Sequence, residues 1–114
     1  MLNLMSGFSE RVVEIALSIP KGRVTTYGRI ARAAGGGTMA AQSITSILGK
    51  AEAAGTMQAG EKRIPYHRIV YADGKIWVNP KYRKERLALY KKEGIEIDKN
   101  DRIKNFGDIV FEFE

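Results

Sequence analysis

Apolar and polar positions alternate along this chain in blocks that mark out its elements. Phe8, Val12, Ile15, Ala16 and Ile19 recur at three- and four-residue intervals, the spacing of one helix face. Ser6 or Ser9 is the expected cap at the start of that helix, and Pro20 its end. Lys21-Gly22 forms a turn. Thr26 then caps a second helix whose inner face is Tyr27, Ile30, Ala31 and Ala34. Gly35-Gly36-Gly37 interrupts it, since each glycine costs a helix about 1 kcal/mol relative to alanine. Thr38 caps a third helix through about Leu48, with Ala41, Ile44, Ile47 and Leu48 facing inward. Two short helices joined by a tight glycine turn outline a helix-turn-helix.

Residues 49–63 are small, polar and glycine-punctuated, which predicts an exposed loop. A hairpin follows: Ile69, Val70 and Tyr71, a turn at Asp73-Gly74, then Ile76, Trp77 and Val78. Asn79-Pro80 reads as the cap and first-turn proline of a helix that runs to Glu93 and stops at Gly94. Ile109, Phe111 and Phe113 alternate with polar residues, so the tail is expected to be a last strand. Its candidate partner is Ile95-Glu96-Ile97. The predicted class is α+β, mainly helical: a winged-helix-like helix-turn-helix with a small hairpin, one domain over 1–114.

Composition narrows the chemistry. The chain has no cysteine, which excludes disulfides, thiolate metal sites, iron–sulfur clusters and cysteine nucleophiles. With His67 as its one histidine, a metal site is not expected, nor is any cofactor. No apolar run approaches the roughly 20 residues that cross a bilayer, and no signal-peptide pattern opens the chain. A cytoplasmic, monomeric protein without membrane contact is the expectation, nucleoid-associated in a bacterium. Nineteen lysines and arginines against 13 acidic residues give a net charge of +6, which suits a polyanionic partner.

The outward face of the third helix carries Ala40, Gln42, Ser43, Thr45 and Ser46, short side chains without bulky charge. An ordinary solvated face has this composition. So does a helix that approaches another surface closely, with Lys21, Arg23, Arg29, Arg32 and Lys50 nearby to hold phosphates. Helices that read the major groove carry long donors, and this face has only Gln42; small residues suit the narrow minor groove.

The second motif is Ile64-Pro65-Tyr66-His67-Arg68-Ile69-Val70. Alone it says little, because a single histidine beside apolar residues is commonly structural. It follows, however, a segment Ile19-Pro20-Lys21-Gly22-Arg23-Val24-Thr25-Thr26-Tyr27-Gly28. Together the two resemble the DNA-binding domain of the O6-alkylguanine-DNA alkyltransferases. There an I-P-x-G-x-V-x-T-Y-G segment leads into the helix-turn-helix, and P-C-H-R-V carries the acceptor cysteine. The resemblance runs from about Phe8 to Ile97 and includes Lys92-Glu93-Gly94.

The resemblance implies roles residue by residue. Tyr66 stands at the acceptor position. A phenol titrates near 10 against about 8.5 for a thiol and is the poorer nucleophile toward an alkyl carbon, so no catalytic residue is assigned. His67 and Glu93 match the thiol-activating pair and are expected to persist as a buried structural hydrogen bond. Tyr27 matches the base-flipping tyrosine that pushes on the phosphate 3′ of the flipped nucleotide; a core-lining aromatic at a helix start is its plainer reading. Ala40, Ala41, Gln42 and Ser43 match the DNA-facing segment, with Gln42 at the position of the arginine finger. The lesion pocket falls on Tyr66, Trp77, Val78 and Asn79. An aromatic in place of the cysteine resembles the alkyltransferase-like proteins, which bind alkylated guanine in double-stranded DNA without repairing it and signal to nucleotide excision repair proteins. A helix-turn-helix regulator without lesion recognition is the alternative.

Overall fold

A computed structural model describes residues 4–36, 42–53, 64–76 and 78–113. The chain order is α1 (Leu4–Leu17), β1 (Thr25–Thr26), α2 (Tyr27–Ala33), α3 (Ile44–Ala53), β2 (Ile69–Val70), α4 (Arg83–Lys92) and α5 (Phe106–Ile109). Single turns of 3-10 helix precede β2 at Tyr66–Arg68 and α4 at Pro80–Tyr82. No helix among the described residues is long and apolar enough to cross a membrane.

Helix α1 packs against both α2 and α3, and the stripe anticipated from the spacing closes the contact: Val12, Ala16 and Ile19 are buried. α1 is already helical at Leu4, so Ser6 and Ser9 lie inside it and neither caps it. Leu4 and Met5 are good helix formers and carry the helix upstream of both serines. Thr26 does cap α2, its hydroxyl accepting from the Arg29 N–H at 3.2 Å. Ile30, Ala31 and Ala34 face the core as the spacing predicts. α3 continues five residues past Leu48 to Ala53, taking the first part of the presumed 49–63 loop. Lys50, Ala51 and Ala53 are strong helix formers, and the cost of Gly49 alone does not stop the helix. The Thr38 cap and residues 54–63 lie outside the described residues.

Among the described residues the expected hairpin is not formed. Its turn stands: the Tyr71 carbonyl accepts from Gly74 at 2.8 Å and the Tyr71 N–H donates to Lys75 at 3.0 Å. β2, however, pairs in parallel with β1, Thr25 opposite Ile69 and Thr26 opposite Val70. The returning arm bonds elsewhere, with Ile76 N–H donating to Asp101 and Ile103 N–H to Gly74. The tail also departs from expectation. Ile97 bridges Ile103, not the tail. Phe106 and Ile109 sit one helical turn apart in α5 and pack on the same cluster, burial that an alternating strand would divide between two faces. Val110 then forms a single parallel bridge with Val24.

Two clusters form the core. One joins α1, α2 and α3 through Val12, Ala16, Ile30, Ile44 and Leu48 and takes in Ile69; the other gathers Val24, Val70, Ile76, Tyr90, Ile95 and Ile103. Successive strand residues point to opposite faces, so Ile69 enters the first cluster and Val70 the second. Each such side chain contributes about 1.5–3 kcal/mol on burial, against about 0.5–1.5 kcal/mol for a backbone hydrogen bond. Packing, more than the two-residue ladder, fixes β2 between the clusters.

Candidate nucleic-acid interface

The β1–β2 pairing sets three tyrosines around one cavity. Tyr27 is the first residue after β1, Tyr66 lies in the turn before β2, and Tyr71 directly follows β2. The cavity has a volume of about 180 Å³ and is lined by Tyr27, Thr45, Tyr66, Ile69, Val70, Tyr71 and Arg86. Tyr27 and Tyr71 meet at 6.0 Å between ring centroids with a 44° tilt. Burial raises the Tyr27 phenol above its ordinary value, while a hydrogen bond with Thr45 of α3 opposes the shift. At neutral pH the Tyr27 phenol is therefore uncharged. Tyr66 packs against the first core cluster, leaving a flat apolar wall with a polar edge.

Behind this wall Glu93 anchors a polar knot. Its Oε2 lies 2.6 Å from His67 Nε2 and 2.7 Å from Arg68 Nη2. Its Oε1 accepts from Arg68 Nε and from the Gly22 N–H, each at 3.0 Å. Gly22 turns with φ +86°, and an added Cβ would meet the Glu93 carbonyl. Arg68 also donates to the Ile19 carbonyl at 2.9 Å. Burial disfavours the Glu93 charge, but the donors from Arg68, Gly22 and His67 together outweigh it and hold the carboxyl at about 2. Burial likewise pushes His67 below its usual 6.5, against the pull of Glu93. A neutral imidazole donating Nε2–H to Glu93 keeps a lone pair on Nδ1. Tyr90, 1% exposed, meets His67 edge-on at 5.9 Å. Burial lifts its phenol to about 12, against the charge and hydrogen bond of Arg86.

The structure brings Tyr27 and Tyr66 together at the cavity, and His67 to Glu93 in the buried hydrogen bond expected of them. Gln42 and Ser43 are exposed just ahead of α3. Ala40, Ala41 and Trp77 lie outside the described residues. Val78 and Asn79 do not line the described cavity; Asn79 instead caps the turn into α4, its Oδ1 accepting from the Lys81 N–H at 2.9 Å. Beyond Tyr66, the cavity is lined by Tyr27, expected at the DNA, and by Thr45, Ile69, Val70, Tyr71 and Arg86, which sequence reasoning did not assign to the pocket. Arg86 carried a readable signal: residues 86 and 90 of α4 and its capping residue Glu93 fall at helical spacing on one face, which ties it to the Tyr90 and Glu93 knot.

Helices α2 and α3, with the short exposed side chains of Gln42, Ser43, Thr45 and Ser46 beside an aromatic cavity, have the form of a helix-turn-helix domain. Residues 7–95 match the family model described as 6-O-methylguanine DNA methyltransferase, DNA binding domain, and the chain belongs to that family. Among its relatives is a DNA base-flipping protein of Escherichia coli (strain K12), 33% identical over 97 residues, 84% of this chain and 68% of the relative. Another, from Vibrio parahaemolyticus, is 31% identical over 99 residues, 87% of this chain and 91% of the relative. The fold matches S. pombe Atl1 in a complex with damaged DNA containing O6-carboxymethylguanine, with TM-score 0.67 and 22% identity over 99% of this chain and all of that one. Mycobacterium tuberculosis O6-methylguanine methyltransferase matches with TM-score 0.55 and 28% identity over 75% of this chain and 47% of its own.

Proposed function

We propose that this domain is a non-enzymatic sensor of O6-alkylguanine in duplex DNA, acting by base flipping. The observation that carries the reading is Tyr66. It stands where the resemblance puts the acceptor cysteine, forms a wall of the cavity, and leaves the neighbouring His67–Glu93 pair with no thiol to activate. In this reading the segment from Ala40 to Ser43 and α3 lie along the minor groove. Tyr27 turns the lesion out of the stack, Gln42 fills the vacated space, and the flipped base stacks on Tyr66. Extrusion costs a few kcal/mol, less for a base whose pairing the alkyl group has weakened. Aromatic stacking of about 1–3 kcal/mol offsets it. The bound lesion then serves as a signal to nucleotide excision repair proteins, with the domain acting as a cytoplasmic monomer.

The test is binding to matched duplexes with and without one O6-methylguanine, followed by intact-protein mass. Lesion preference with unchanged mass is the expected result. A gain of one methyl would make the protein a transferase; indifference to the lesion would make it a helix-turn-helix regulator.

A further inference from the structure

Arg86 is the charged member of the described cavity lining. It projects from α4 and is half-buried. Its charge acts on the phenol of Tyr90, one turn further along the helix. Tyr90 is itself immobilised by the second core cluster. Among the described residues no carboxylate forms an ion pair with Arg86, whereas Arg29, Arg68, Arg83 and Arg102 each have one. The cavity's other polar groups, three phenols and the Thr45 hydroxyl, already suit neutral acceptors and donors.

A guest that covers the cavity strips water from this guanidinium. A neutral guest leaves a desolvated charge without a counter-charge, which is unfavourable. An anionic guest supplies the counter-charge and accepts bidentate donors from a pre-set fork. Specificity here is a difference between those two outcomes. We infer that Arg86 is a specificity-determining residue, which makes the cavity prefer guanines whose O6 substituent carries a carboxylate over those with a neutral substituent of the same size. This rests on the lesion-binding reading above and adds a charge preference to it.

The experiment compares duplexes carrying one O6-carboxymethylguanine, its neutral amide O6-carbamoylmethylguanine, one O6-methylguanine, or no lesion. The wild-type chain should bind the carboxymethyl duplex about tenfold more tightly than the carbamoylmethyl one, the effect of one charge-assisted contact. In R86Q, which removes the charge and keeps a polar side chain, that ratio should fall to about one. In R86K, which keeps the charge without the fork, it should lie between. Equal affinity of the wild type for acid and amide, with both preferred over undamaged DNA, overturns the inference and leaves the sensor reading intact. A wild-type ratio that survives in R86Q, with every duplex weakened alike, also overturns it and makes Arg86 a phosphate contact. Indifference of the wild type to all three lesions overturns both.

Discussion

Tyr66 has two functions that one substitution can separate. Its ring packs on the first core cluster from one side and walls the cavity from the other. If a flipped base stacks there, Tyr66→Ala lowers the ratio of lesion to undamaged affinity by about 1–3 kcal/mol. An unflipped base never reaches the ring, so the loss should fall on the lesion complex. Fluorescence anisotropy on paired duplexes measures the ratio, and equal weakening of both would remove Tyr66 from the pocket. The neighbouring knot behaves differently. Glu93→Gln removes the carboxylate that satisfies Arg68, His67 and Gly22 together. Stranding a largely buried guanidinium should cost about 3 kcal/mol of stability, read as a lowered urea midpoint.

The turn at Asp73-Gly74 carries the chain from β2 to its partner segment at residues 101–103. Gly74 has φ +84°, and a Cβ there would lie 3.1 Å from the Phe106 ring. Gly74→Ala therefore combines a left-handed strain with a clash against a ring packed in the second cluster. About 2 kcal/mol should be lost, and an unchanged urea midpoint would show that neither the backbone strain nor the contact with Phe106 is felt. This turn also shows what a single chain makes legible. Asp73-Gly74, the Thr26 cap, Asn79-Pro80 and the stop at Gly94 depend on residues within a few positions, and all were readable. The partner of Ile69-Val70 is Thr25-Thr26, far back in the chain, and apolar alternation says nothing about who pairs with whom. Ile109, Phe111 and Phe113 alternate as a strand would, yet Ile109 ends a helical turn with Phe106, and tertiary packing decided. The site divides the same way. Tyr27, Tyr66, His67 and Glu93 were legible from ordered motifs, whereas Tyr71 and Arg86 join the cavity only once β2 and α4 have docked.

Acid should weaken the molecule as a whole. Glu93 titrates at about 2 in the folded chain against 4.5 ordinarily, and His67 titrates below 6.5. In both cases the unfolded chain binds protons at a higher pH than the folded one, so stability rises with pH. The Glu93 contribution, about 3 kcal/mol, is complete above pH 4.5 and is lost as the pH falls toward 2. His67 adds a loss that begins as the pH drops through 6.5. Melting temperatures should therefore fall steadily from pH 7 to pH 3, with Glu93→Gln giving the flatter curve below pH 5. Parallel profiles for the two proteins would place the acid sensitivity elsewhere.

The tail's single bridge has a further consequence, in self-association. Val24 donates its N–H to Ile109 at 3.1 Å and accepts from the Phe111 N–H at 2.6 Å. Arg29 reaches over to Glu112 at 2.9 Å. On its other side the same stretch is laced to β2, so the backbone that leads into the Tyr27 helix offers no open edge. Unpaired strand edges are templates for joining another chain. Ending the chain at Asp108 would expose the Val24 N–H and carbonyl beside a buried apolar cluster. Light scattering should then rise with concentration for the shortened chain, under conditions where the 114-residue chain shows no such rise. If the two scatter alike, the last residues are not an edge guard and serve only to pack.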